Sequence, residues 1–215
     1  IFLSSFPGAR KSQEMVTYPQ LLLLLTVVCA RAATEGQRPC DIYAAGGTPC
    51  VAAYATTRAL YRGFNGSLYQ VRHVGDNATM DVGVLAPGGV ANAASQDAFC
   101  GGSSGCTISR IYDQSPHGNH LGTAPGGPWY SPFHDSGVNA SRVRTTLRGK
   151  PVYAVSFDRP GGIFGLGGLG YRNDTTNGIA TGDEPETMYM VVAAKHYNNR
   201  CCFDFGNAET NIRDD

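Results

Sequence analysis

The chain has 215 residues, and its 17 Lys and Arg against 17 Asp and Glu leave it formally neutral. Nothing in that balance attracts a nucleic-acid backbone or an anionic membrane surface, so neither is expected as a partner. With 28 glycines and 12 prolines the composition is loop-rich, which argues against long helices because glycine adds backbone entropy and proline removes a donor.

In chain order, Met15 opens a stretch with Leu21 to Leu25, Val27 and Val28 as its apolar centre, followed by Ala30-Arg-Ala32. A short apolar run with a small-x-small site behind it reads as a signal peptide, too short for a membrane span. A buried N-terminal strand is the competing reading, but a pentaleucine beside an Ala-x-Ala pattern is unusual in a core. The expected division is therefore 1–14 as untranslated or non-native leader, 15–32 as signal peptide with cleavage near Ala32 or Ala33, and 33–215 as a secreted, extracellular mature region.

Beyond that point, strand character recurs between turn signals at Leu68 to Val74, Met80 to Leu85, Thr107 to Tyr112, Pro151 to Phe157 and Met188 to Ala194. Val51 to Tyr61, with Ala52, Ala55, Ala59 and Leu60, predicts one short helix. Strands joined by long Gly/Pro/Asn connections predict an all-β domain of sandwich type, and no linker or repeat divides it.

Assigning Cys29 to the signal leaves six of the seven cysteines. They fall in local pairs: Cys40 and Cys50, Cys100 and Cys106, Cys201 and Cys202. An even count after a signal peptide implies disulfides in an oxidising compartment, with connectivity open on sequence alone and nearest-neighbour pairing the simplest choice. Paired Cys-x-x-Cys units are absent from the sequence, so no metal site is predicted. The sequons at Asn65, Asn77, Asn139 and Asn173 agree with secretion and mark candidate glycosylation sites.

Three further patterns invite chemistry. Gly165-Leu-Gly167-Gly-Leu-Gly170 has dinucleotide-type glycine spacing but lacks the strand-turn-helix context, so a surface loop is expected. His117 and His120 lie in the turn-forming Ser115-Pro-His-Gly-Asn-His120, where a structural or surface role outweighs metal binding. Asp204 and Glu209 could be the paired acids of a glycosidase. Five residues apart on a strand they would face opposite sides, and the turn signal Gly206-Asn207 makes a strand end the simpler account.

Pro39-Cys-Asp-Ile-Tyr43 followed by Thr48-Pro-Cys-Val-Ala-Ala53 resembles the start of the fungal α-L-arabinofuranosidase B catalytic domain, glycoside hydrolase family 54. The resemblance continues through Thr56-Thr-Arg-Ala-Leu-Tyr61, Ile111-Tyr-Asp-Gln-Ser115, Gly118-Asn-His-Leu121, Gly170-Tyr-Arg-Asn173 and Ala180-Thr-Gly-Asp-Glu184. It ends with His196-Tyr-Asn198 and Cys201-Cys-Phe-Asp-Phe-Gly-Asn-Ala-Glu-Thr210.

This resemblance implies a concanavalin-like β-sandwich of jelly-roll type, here truncated at the C-terminus, with a β-trefoil domain normally following. It implies retaining hydrolysis of terminal α-L-arabinofuranosyl groups in arabinan and arabinoxylan, without a cofactor. It pairs Cys40 with Cys50, Cys100 with Cys106 and Cys201 with Cys202, and makes Cys201 and Cys202 the substrate-binding floor of the sugar pocket. The nucleophilic glutamate lies beyond the vicinal pair and the acid/base aspartate later still, so no catalytic residue is expected in this chain, and Glu209 is not promoted to that role. Compared with the family pattern, the Cys100 to Cys106 loop is one residue longer, His117 replaces a glycine-like position, and Phe157 to Gly168 is expanded. A lectin-like domain that only binds carbohydrate is the alternative function, and a purely structural secreted β domain a third.

Overall fold

The computed structural model describes residues 36–101, 105–124, 137–157, 170–193 and Gly206. These residues, apart from Gly36, belong to one compact unit, Gln37–Asp215. They are mostly strands with few helices.

Helix α1 spans Pro39–Ala45. Proline stands at its first turn, where a missing N–H costs nothing, and the Asp41 carboxylate reaches back to accept the Arg38 N–H at 2.9 Å. Gly46 and Gly47 end it, the latter at φ 81°. The seven residues are too few to be stable alone. What holds them is the Cys40–Cys50 disulfide and the Cys40 N–H donated to Leu60 O at 3.0 Å.

Strands β1 (Ser67–His73), β2 (Thr79–Gly83), β3 (Cys106–Ile111), β4 (Leu121–Thr123) and β7 (Tyr171–Arg172) form an antiparallel sheet in the order β2-β1-β3-β4-β7. One face is apolar, carrying Val71, Val82, Ile108 and Ile111 into the core. Strict alternation would send either Leu68 or Tyr69 outward, yet both are buried. A register shift between Ser67 and Tyr69 permits this, since a bulge re-aims a side chain.

Helix α2 (Ala93–Cys100) packs against this sheet, its Asn92 cap accepting the Ser95 N–H at 3.3 Å. Its fully buried Gln96 accepts the Tyr69 hydroxyl at 2.5 Å and donates to Ala140 O at 2.8 Å. The Cys100–Cys106 disulfide joins the end of α2 to the start of β3. Strands β5 (Val143–Leu147) and β6 (Lys150–Ala154) form a separate hairpin that sends Val152 into the same core. Its two turn residues, Arg148 and Gly149, have φ of 52° and 73°, the double positive φ of a type I′ turn. At Gly137 a Cβ would stand 1.9 Å from Ile108 O, so only glycine fits beside β3.

The strands expected at 68–74, 80–85 and 107–112 correspond to β1, β2 and β3, and that at 151–157 to β6, which ends at Ala154. Two expectations are corrected. Val51 to Tyr61 is not a helix. Its backbone is drawn to distant partners instead: Ala53 N–H to Asp113 Oδ1, Ala59 N–H to Gly89 O, and Leu60 N–H to Gln114 Oε1. Eleven residues of alanine-rich sequence nucleate a helix poorly, and those bonds compete successfully. Residues 188–193 form no strand, and Val191 is 90% exposed; Ala194 lies outside the described residues. The helices α1 and α2 and the short strands β4, β5 and β7 had not been anticipated.

Candidate functional site

Cys201, Cys202, Asp204 and Glu209 all lie outside the described residues, as does the glycine run Gly165 to Leu169. The described structure instead brings together Ile111-Tyr-Asp-Gln-Ser115 and Gly118-Asn-His-Leu121, which lie between and within β3 and β4.

Asp113 is buried and is the hub of this segment. Its Oδ1 accepts the N–H of Ala53 and of Ser115, both at 2.8 Å, while Oδ2 accepts the Ser115 hydroxyl at 2.6 Å and the Asn119 N–H at 2.9 Å. A buried carboxylate with four donors is compensated without a cation. Asn119, also buried, donates to Val51 O and Asn177 O and accepts the Asn177 N–H at 2.7 Å. Gln114 ties the same segment to Leu60 N–H and Arg58 O. These side chains therefore do architectural work: they knot residues 51–60 and 177 onto the end of the sheet.

Beside the knot lies an open pocket of about 300 Å³ lined by Phe64, Gly66, Ser67, Asp81, Tyr112, Asp113 and His120. Asp81 stands directly opposite Gln70 across β1 and β2, on the polar face of the sheet. Its Oδ1 accepts the Tyr112 hydroxyl at 2.9 Å and Gln70 Nε2 at 3.0 Å. Desolvation, then the hydrogen bond to Asp81, raises the Tyr112 pKa above its ordinary value, so the phenol remains a donor. The His120 ring packs edge-on to Tyr112 with centroids 5.1 Å apart, and its Nδ1 accepts the Asp113 N–H at 3.0 Å. That bond places the ring proton on Nε2 in the neutral imidazole.

The outcome for the two histidines is therefore unequal. His120 is a pocket residue, whereas His117 is half-buried and approaches Gly178. Among the described residues, no group of three or more His, Cys, Asp and Glu side chains is placed to hold a metal ion. Sequence reasoning missed Phe64, Asp81 and Tyr112; of the three only Asp81 had a signal, its place among the polar residues of β2 opposite Gln70. Of the sequon asparagines, Asn65, Asn77 and Asn139 are exposed and Asn173 is half-buried.

A mostly antiparallel β unit stapled by two short-range disulfides, with a polar aromatic pocket at the sheet end, is the class of protein these residues define. The family described as "Alpha-L-arabinofuranosidase B, catalytic" matches residues 39–215, and the chain belongs to that family. It is 52% identical over 179 residues to a probable α-L-arabinofuranosidase B of Aspergillus fumigatus, covering 82% of this chain and 34% of that protein. It is 48% identical over 191 residues to the α-L-arabinofuranosidase B of Aspergillus niger, covering 87% and 36%. Among solved structures, an arabinofuranosidase complexed with arabinofuranosyl-α-1,2-xylobiose superposes with a TM-score of 0.62 at 45% identity, over 69% of this chain and 30% of that one. A GH54 α-L-arabinofuranosidase soaked with a cyclic sulfate inhibitor gives the same TM-score of 0.62 at 46% identity. The chain thus spans about a third of the length of the curated relatives it matches.

Proposed function

We propose that the protein carrying this chain is a secreted, retaining α-L-arabinofuranosidase acting on terminal α-L-arabinofuranosyl groups of plant-wall polysaccharides such as arabinan and arabinoxylan. The observation that supports this most is the family match over residues 39–215. In this reading Cys201 and Cys202 form a vicinal disulfide at the floor of the sugar pocket, offering an apolar surface to one sugar face while polar groups bind its hydroxyls. A glutamate attacks the anomeric carbon, and an aspartic acid protonates the leaving oxygen and then activates water. Both carboxylates would come from sequence outside these 215 residues, a placement that fits the partial coverage of the relatives.

We assign the five-stranded sheet to one layer of a concanavalin-like jelly roll. Its single apolar face and its likeness to the solved arabinofuranosidases support that assignment. Asn65, Asn77, Asn139 and Asn173 are proposed glycan acceptors, supported by the solvent exposure of the first three.

The test is hydrolysis of an aryl α-L-arabinofuranoside by the full-length gene product, with the anomer of the first-formed arabinose read by NMR. Release of the α-anomer is expected, and no release would end the proposal. The 215-residue chain alone should release none. Turnover by that chain which disappears in Glu209→Gln would move the nucleophile to Glu209.

A further inference from the structure

We propose that the pocket formed by Phe64, Asp81, Tyr112 and His120 binds a single neutral sugar ring of the polysaccharide substrate. The choice of a plant-wall sugar rests on the function proposed above; the existence of a sugar-ring site rests on the pocket itself.

Its volume of about 300 Å³ accommodates one furanose or pyranose ring with its first waters. The polar groups are already held in place. The Tyr112 hydroxyl and Gln70 both donate to Asp81 Oδ1, and among the described residues no hydrogen bond is made to Oδ2. That leaves a fixed, charged acceptor for a sugar hydroxyl. The Asp113 N–H occupies His120 Nδ1, so His120 Nε2–H is a fixed donor. The His120 ring is further held edge-on by Tyr112.

The apolar part of the wall is equally defined. Phe64 packs against the core, and a Cβ on Gly66 would stand 2.9 Å from its ring, so the absence of a side chain there is what lets the ring lie where it does. Aromatic surface beside one acceptor and one donor is the chemistry that recognises a polyhydroxylated ring.

Other ligand classes fit less well. Two carboxylates line the pocket and no Lys or Arg does; the nearby Arg110 interacts with the Tyr112 hydroxyl, so phosphate or carboxylate ligands are disfavoured by the lining itself. Asp113 is already saturated by its four donors, so a divalent cation would find one carboxylate where it needs several oxygens.

The experiment titrates the full-length gene product, selectively labelled at histidine ring nitrogens, with xylotetraose and separately with methyl α-L-arabinofuranoside. Asn65 sits between two lining residues, so the protein is first treated with an endoglycosidase to keep any glycan from filling the pocket. A saturable shift of the His120 signal is expected with at least one probe, and the probe that gives it identifies the backbone or the side-chain sugar as the ligand. Asp81→Ala, at an exposed position, should weaken the dissociation constant read from the His120 shift about tenfold, and His120→Ala should weaken the corresponding event, resolved by calorimetry from binding at the proposed catalytic pocket, by a similar factor. Arg144→Ala, on the remote β5–β6 hairpin, should leave it unchanged. No saturable shift with either probe, or parental affinity in both pocket variants, overturns the proposal. Binding is read from the His120 shift and hydrolysis separately from released arabinose, so a protein that binds but does not hydrolyse would refute the proposed activity and leave this site standing.

Discussion

The Asp113 carboxylate accepts the backbone N–H of Ala53 at 2.8 Å across a sequence separation of 60 residues. One acidic side chain thereby decides the path of the segment that leads from the Cys40–Cys50 disulfide to the sheet. Asp113→Ala leaves the buried N–H groups of Ala53, Ser115 and Asn119 without their acceptor, at a cost of about 3 kcal/mol or more. Chemical denaturation of the full-length protein should register this loss, and Asp113→Asn should fall between the two because one oxygen remains. Parental stability in the alanine variant would mean that the knot is dispensable.

The disulfides close loops of ten and six residues. Chain-entropy estimates put the stability lost on removing each at about 2–3 kcal/mol, slightly more for Cys40–Cys50 because its loop is longer. Paired Cys→Ser variants, compared by thermal melting, measure that order directly. Peptide mapping of the natively produced protein without reduction should recover both links together with Cys201–Cys202. A free thiol at Cys201 or Cys202 would rule out the vicinal bond.

Tyr54, Tyr69 and Tyr171 all have pKa values raised above the ordinary 10.0, with desolvation the largest cause in each. Neighbouring Asp113 adds to the effect at Tyr54. In the unfolded chain these phenols ionise from about pH 10, whereas the fold keeps them protonated. The unfolded state therefore binds fewer protons, and stability falls as pH rises above that value. Below it the three make no pH-dependent contribution. Ultraviolet absorbance should show their ionisation delayed until the circular dichroism signal collapses; ionisation near pH 10 in an intact fold would contradict the burial.

Arg148 occupies the first turn position of the β5–β6 hairpin at φ 52°. A side chain with a Cβ pays for that backbone, whereas asparagine tolerates it and Asn-Gly is the favoured pair. Arg148→Asn should thus stabilise the protein by about 0.5 kcal/mol. A lower melting temperature in the variant would show that contacts of the arginine outweigh the turn preference.

Much of the sheet was legible because local pattern and burial agree there. Strand character in Leu68 to Val74, Met80 to Leu85 and Thr107 to Tyr112 marks β1, β2 and β3, the adjacent strands at one side of the sheet. Nearest-neighbour pairing, the simplest choice on sequence and the one the resemblance implies, is met at Cys40–Cys50 and Cys100–Cys106. The motif series that carried the resemblance includes residues of an architectural network, as Asp113, Gln114 and Asn119 show.

Tertiary structure decided the rest. Alanines at 52, 55 and 59 favour a helix, but the acceptors offered by Asp113, Gln114 and Gly89 hold that backbone out of one, and no local pattern encodes partners so distant. Leu68 and Tyr69 are both buried through a register shift visible only once β1 meets β2. The pocket is the clearest case. Phe64, Asp81, Tyr112 and His120 come from separate parts of the chain, and only strand pairing and the turn after β3 bring their side chains to one place, because a site made of distant residues exists only when the fold closes them together.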